Sequence, residues 1–172
     1  AAMVVSKSLF LNVGGMDKDF FAYFEDVDFG WRMWIMGWRV HYVPSAVVAH
    51  RQSSTSTSIW LPKIRVLHIR NPLMMIFKNY EKPLLDAILP VAWMLTTQRT
   101  KRLSEWPEST FAINDEQHLA HPKSNGLSSN IQSMSIASLA ASDFVAQNQW
   151  LDQFDSLVAK REAVQNARVT SD

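Results

Sequence analysis

Residues Asp17 to Asp28 hold five acidic side chains and one lysine, with Phe20, Phe21, Tyr23 and Phe24 set among them. No other stretch restricts folding as much. Like charges repel, and a carboxylate leaving water needs a cation or hydrogen-bond donors. The rings call for burial at the same place. Further along, Lys63 to Arg102 carries eight Lys and Arg against Glu81 and Asp86. Such a separation of sign assigns the acidic and basic segments different jobs.

The 172 residues, 47% of them hydrophobic, suffice for one ordinary domain with a core. A net charge of +1 argues against a nucleic-acid binder, which needs a broad cationic excess to neutralise phosphates. With no cysteine, disulfides, thiolate metal sites and cysteine nucleophiles are excluded, so a metal would need His and carboxylate ligands. The opening "AAMVV" lacks the basic and apolar regions of a signal peptide. The longest apolar run, Pro83 to Leu95, is interrupted by Asp86 and Pro90 and is shorter than the roughly 20 residues of a membrane span.

Patterning divides the chain into an α/β first third and a helical remainder. "AAMVVS" reads as a buried strand, and Gly14 and Gly15 stop a short helix or turn. Phe24, Val27, Trp31, Trp34 and Ile35 mark one apolar helical face, with a left-handed cap at Gly37, so a helix is expected from Glu25 to Met36. "WRVHYVP" alternates like a half-buried strand, "AVVAH" is a short second one, and "RQSSTSTS" is a polar loop. Ile59 to Tyr80 has the residues of a long basic helix with a break at Asn71-Pro72, and a second apolar helix follows Pro83. Residues 104–132 read as linker or surface loop. The stripe Ile136, Leu139, Ala140, Phe144, Leu151, Phe154, Leu157 and Val158 gives a C-terminal helix that needs a partner surface.

Glu25 and Asp26 fall at a predicted helix start, where unpaired N–H groups and the helix dipole favour carboxylates. Asp28 and Arg32, four apart, can pair on one helix face, which gives Asp28 a structural role. Asp26 is the acid left over. Pointing away from the Val27/Trp31/Trp34 face into a cleft, it could act as a general base.

The order of these elements adds weight. "GGMDKDFFAYFEDVDFGWRMWIMGWRVHYVPSAVVAH" resembles the second half of the catalytic domain of family 2 glycosyltransferases with a GT-A fold, in their rhamnosyl- and galactofuranosyl-transferase-like branch. Met16, Lys18, Trp31 and Trp34 depart from the usual residues, all away from the chemistry. The resemblance implies that Asp26 takes the proton of an acceptor hydroxyl attacking the anomeric carbon of a nucleotide-sugar, with inversion. Glu25 would orient the acceptor, and Gly14 and Gly15 would shape the loop beneath it, their plainer reading being an ordinary turn. His50 would help hold a divalent Mg²⁺ or Mn²⁺ on the donor diphosphate, its alternative being a strand-end histidine bonded to a loop. Arg51 and Ser53 would touch that diphosphate from a flexible loop, although a solvated loop has the same composition.

The resemblance further implies an α/β fold: the C-terminal, Rossmann-like half of a GT-A domain in residues 1–58, then a basic helical segment 59–103, the linker, and a C-terminal helix in 133–172. Neither an Asp-x-Asp motif nor strand/helix alternation precedes Gly14, so the expected activity belongs to a longer enzyme and donor binding by this stretch alone should be poor. "KREAVQNARVTSD" is similar to the family's helical extension. The partners implied are a nucleotide-sugar donor and a glycan or lipid-linked acceptor, in the cytoplasm. The basic segment adds an anionic membrane surface, weighed equally against packing on the catalytic domain. Two rivals stand beside this reading: a non-catalytic membrane-associated or partner-binding module in which the acids only cap a helix, and, more weakly, a metal-dependent hydrolase using Asp26, Asp28 and His50.

Overall fold

A computed structural model describes residues 2–49, 61–104 and 136–171, and every regular element among them is helical. Helix α1 (Lys7–Asn12) begins at Ser6, whose hydroxyl accepts the Leu9 N–H at 3.3 Å. It stops at Gly14 and Gly15, whose φ of +88° and +65° are left-handed values open to glycine without strain. One 3-10 turn (Lys18–Phe20) and a short loop lead into α2 (Glu25–Ile35). That helix closes on Gly37 at φ +81°, where the Trp38 N–H reaches back to the Met33 carbonyl at 2.9 Å.

Four longer helices make the body of the molecule: α3 (Leu61–Asn79), α4 (Lys82–Ser104), α5 (Ile136–Asp152) and α6 (Phe154–Asn166). α3 is central and packs against α2, α4, α5 and α6. The main core joins Leu73, Met74 and Phe77 of α3 to Leu85 of α4, Trp150 of α5 and Leu157 of α6. Trp150 meets Phe77 and Trp93 edge-on, with ring centroids 5.4 and 5.2 Å away. Burying such side chains contributes roughly 1.5–3 kcal/mol each. Phe20 enters the same core, which ties the acidic loop to the bundle. A smaller core of Val13, Phe29 and Met33, with Leu9 and Phe10 beside it, joins α1 to α2.

The α/β expectation is corrected: among the described residues there is no strand, and the architecture is a helical bundle in place of a Rossmann-like half. The segments that read as strands, 2–6 and 38–49, have no ladder partners among the described residues, and Tyr42 is 87% exposed. A strand is stable only when a neighbour satisfies its N–H and C=O groups, and alternation along one segment cannot supply that neighbour.

Three smaller expectations also change. α3 runs unbroken through Pro72, although an interior proline costs about 3 kcal/mol. Packing on four other helices outweighs that cost. α2 buries Asp28, Phe29, Arg32, Met33 and Ile35, leaving Val27 50% and Trp34 45% exposed, because a buried ion pair draws the polar side inward. The C-terminal helical region is interrupted at Gln153, and Phe144 and Leu151 of the expected stripe are exposed while Trp150 is buried. Most of the linker, 105–132, falls outside the described residues.

Candidate active site

The acids of the Asp17–Asp28 stretch separate into two groups. Asp28 is fully buried, and one of its oxygens accepts the Arg32 Nε–H at 2.9 Å. Its other oxygen lies 2.8 Å from Lys78 Nζ and accepts from Asn79 at 2.9 Å. Arg32 also donates to the carbonyls of Val13 (2.6 Å) and Gly15 (2.7 Å), locking the end of α1 onto α2. Asp17 is held between Lys78 (2.8 Å) and Lys160 of α6 (2.5 Å), and Asp19 meets Lys160 at 2.6 Å. The acidic and basic segments, given separate jobs by their sequence, therefore meet. Buried carboxylates require such partners.

The electrostatics follow from that arrangement. Burial works against ionising Asp17, but the Lys78 charge and hydrogen bonds from Lys160, Lys78 and the Asp19 N–H prevail and lower its pKa to about 2. Burial likewise works against the Lys160 ammonium, and its bonds to Asp17 and Asp19 prevail and raise its pKa.

Glu25 and Asp26 form the second group, with no cation partner among the described residues. Both stand in the first turn of α2. Asp26 is exposed, and one of its oxygens accepts the Val27 N–H at 2.8 Å, so capping uses only part of it. Glu25 is half-buried, and its Oε2 is enclosed with no hydrogen-bond partner among the described residues. An enclosed carboxylate oxygen without a donor is rare, since leaving it so costs free energy.

The backbone before this pair is unusual. Phe21, Tyr23 and Phe24 have φ of 60°, 68° and 69°, conformations that cost a non-glycine residue on the order of 1–3 kcal/mol each and gather at functional sites. Around them lie the exposed Phe21 ring, 4.9 Å from Lys63 Nζ, and Tyr23, whose ring centroid is 4.3 Å from that of His68.

Gly14 and Gly15 sit at the end of α1, in the turn that receives Arg32. A Cβ on Gly15 would stand 3.1 Å from the Phe10 ring, so packing as well as φ restricts that position. His50, Arg51 and Ser53 lie outside the described residues. No group of three or more His, Asp or Glu among the described residues could hold a metal ion, and both Asp28 oxygens are taken. The described residues alone therefore do not fit a divalent cation. Two clefts, of about 630 and 550 Å³, flank the loop: one between it and the first halves of α3 and α5, the other between α1, α2 and α6. Glu25 and Asp26 line neither.

Sequence reasoning missed the residues that hold the loop in place. Lys78 and Lys160 lie 61 and 143 positions beyond Asp17, so no local spacing joins them to it. The "KREAVQNAR" run offered a signal without its meaning. Arg161 donates to the carbonyls of Phe77 (2.5 Å) and Tyr80 (2.6 Å), Gln165 to those of Lys78 and Asn79 (3.1 Å each), and Arg168 to that of Asn79. Together they satisfy the carbonyls left open at the end of α3.

Comparison with known proteins bears on the chain's reaction class. Fifty-six residues, 33% of the chain, are 43% identical to the N-acetylglucosaminyl-diphospho-decaprenol L-rhamnosyltransferase of Mycobacterium tuberculosis, in both strain CDC 1551 / Oshkosh and strain H37Rv. Part of this chain is thus homologous to a sugar transferase. The matched stretch spans 18% of each relative's length. No family model matches the chain, and no solved structure matches it.

Proposed function

We propose that this chain supplies the acceptor-activating part of a glycosyltransferase that moves a sugar, with inversion, from a nucleotide-sugar to a glycan or lipid-linked hydroxyl. The observation that carries the reading is the division of the acids. Asp17, Asp19 and Asp28 are consumed by Lys78, Lys160 and Arg32, whereas Glu25 and Asp26, on a strained helix start, have no cation partner among the described residues. The partial homology to a rhamnosyltransferase adds the reaction class. In the proposed step the acceptor oxygen attacks the anomeric carbon and the bond from that carbon to the diphosphate breaks. Asp26 takes the hydroxyl proton, and the nucleoside diphosphate leaves with the bonding electrons. Glu25 orients the acceptor, its partnerless Oε2 being ready to accept from a sugar hydroxyl. A divalent metal enters this reading only through His50, and no step is routed through it.

The test is Asp26→Asn in the whole protein, assayed against a panel of nucleotide-sugars. Turnover should fall by roughly 10²–10⁴ with the thermal midpoint unchanged, the range general-base catalysis commonly supplies. Unchanged turnover would make Asp26 a helix-capping residue and favour the non-catalytic module.

One observation favours adding a membrane surface. No described helix is long and apolar enough to cross a membrane. On α3, however, Arg65 and Lys78 are spent on Asp143 and on Asp17 and Asp28, while α4 exposes Leu84, Val91, Met94 and Leu95 ahead of the "RTKR" run. An outward apolar stripe followed by cations suits an anionic lipid surface. Co-sedimentation with anionic vesicles at low salt should be lost in Val91→Glu; binding equal to the parent protein would remove the stripe from the reading.

A further inference from the structure

Between the 3-10 turn and α2 the chain takes a path it would not keep unaided. Phe21, at φ 60° and ψ −58°, is the centre of a three-residue turn in which the Ala22 N–H meets the Phe20 carbonyl at 2.7 Å. This left-handed form of the γ-turn is rare and strained. Tyr23 and Phe24 follow, also at positive φ, and the Phe24 side chain makes no capping bond to α2. Strain of this kind persists only where surrounding structure imposes it.

One side chain on α3 reaches three carbonyls of that path. Asn71 is fully buried, and its Nδ2 lies 3.0 Å from the Phe20 carbonyl, 2.8 Å from that of Ala22 and 2.8 Å from that of Tyr23. Its Oδ1 is fixed in turn by Arg70, whose Nε and Nη2 donate at 3.1 and 3.0 Å. Arg70 Nη2 also donates to the Asp19 carbonyl at 2.7 Å. Two neighbouring residues of α3 therefore grip four carbonyls of the loop that ends at Glu25.

We propose that Asn71 is the positioning residue of this site: its amide holds the left-handed backbone that sets Glu25 and Asp26 at the first turn of α2. The inference rests on the reading of Asp26 as the base. Asn71 touches no reacting atom and acts through the loop. An amide is suited to the task because one end must donate to several carbonyls while the other accepts from Arg70.

Asn71→Asp tests this in the whole protein, because it keeps the shape and the acceptor for Arg70 while turning the donor end into a carboxylate oxygen that repels the three loop carbonyls. Turnover per folded molecule should fall at least about tenfold, the scale expected when a reacting group is misplaced by a fraction of an ångström to an ångström. KM for the nucleotide-sugar should stay within about twofold of the parent. Leu85→Ala, which opens the shared core from its α4 side and removes no hydrogen bond to the loop, should lower the thermal midpoint and leave turnover per folded molecule unchanged.

A double-mutant cycle with Phe21→Gly isolates the strain, since glycine adopts the Phe21 backbone angles freely. The loss caused by Asn71→Asp should shrink at least about threefold in the Phe21→Gly background. Where Asn71→Asp does not fold, Arg70→Gln, which loosens the same amide, is read in the same cycle. Equal losses in both backgrounds, or parent-like turnover per folded molecule, would overturn the role of Asn71 while Asp26→Asn remains inactive. Parent-like turnover in Asp26→Asn would overturn the base and, with it, this inference.

Discussion

Asp26 and Asp28 stand two residues apart on one helix, and their surroundings are opposite. Asp28 faces the bundle, fully buried, with Arg32, Lys78 and Asn79 closing on its two oxygens. Asp26 is exposed, and among the described residues its carboxylate accepts only the Val27 N–H. The difference teaches that charge density alone does not mark a reactive site. Most of the charge in this stretch serves to join α2, α3 and α6, and the acid left over is the informative one.

Asp26→Asn and Asp28→Ala should break the comparison in opposite directions. The first should cost turnover by roughly 10²–10⁴ and leave stability alone. The second should cost about 3–5 kcal/mol of stability, because it strands the buried Arg32 without a carboxylate and leaves Lys78 with Asp17 alone. Urea unfolding alongside a transfer assay separates the two. A stable Asp28→Ala protein would mean that the buried charges find other partners.

Acid sharpens the same contrast. The pKa of Asp17 is lowered from 3.8 to about 2, so its stabilising contribution is complete above pH 4 and is lost as pH falls toward 2. At about 1.4 kcal/mol per unit, that is on the order of 2 kcal/mol. Unfolding followed by circular dichroism between pH 5 and 2 should show this loss, reduced in Asp17→Asn. Identical acid profiles for the two proteins would contradict it.

Gly37→Ala should act more weakly and away from the acids. Its φ of +81° strains any Cβ, and that Cβ would stand 2.8 Å from a Val169 methyl that can move. A loss of about 1–2 kcal/mol is expected from the thermal midpoint. The Lys82–Asp86 pair on α4 is the surface counterpart of Asp28–Arg32, at the same i,i+4 spacing, and lies well exposed. Lys82→Ala should change stability by less than about 0.5 kcal/mol, and a larger loss would show that exposure does not explain the contrast.

Much of the local scaffold around the candidate site was legible because its signals are local. The start of α2 at Glu25, the glycine closure at Gly37 and the Asp28–Arg32 pair all follow from spacings of four residues or fewer. The apolar face of α2 was misread because the Asp28–Arg32 pair turned inward, and hydrophobic periodicity takes charged residues as outward-facing. Asn71 carried no signal beyond its place before Pro72, where a break was expected and an unbroken helix was found. Its three carbonyl partners lie 48 to 51 residues away.

Local sequence set where α2 begins and ends and how Asp28 and Arg32 pair. These depend on hydrogen-bond geometry within one or two turns and on side-chain identity. Only the tertiary structure decided that the alternating segments are not strands, that Lys78 and Lys160 neutralise Asp17 and Asp19, and that Glu25 and Asp26 stand apart from those ion pairs. Each of these depends on what comes within a few ångströms in space. A backbone group or a buried carboxylate takes its partner from any part of the chain that folding brings to it.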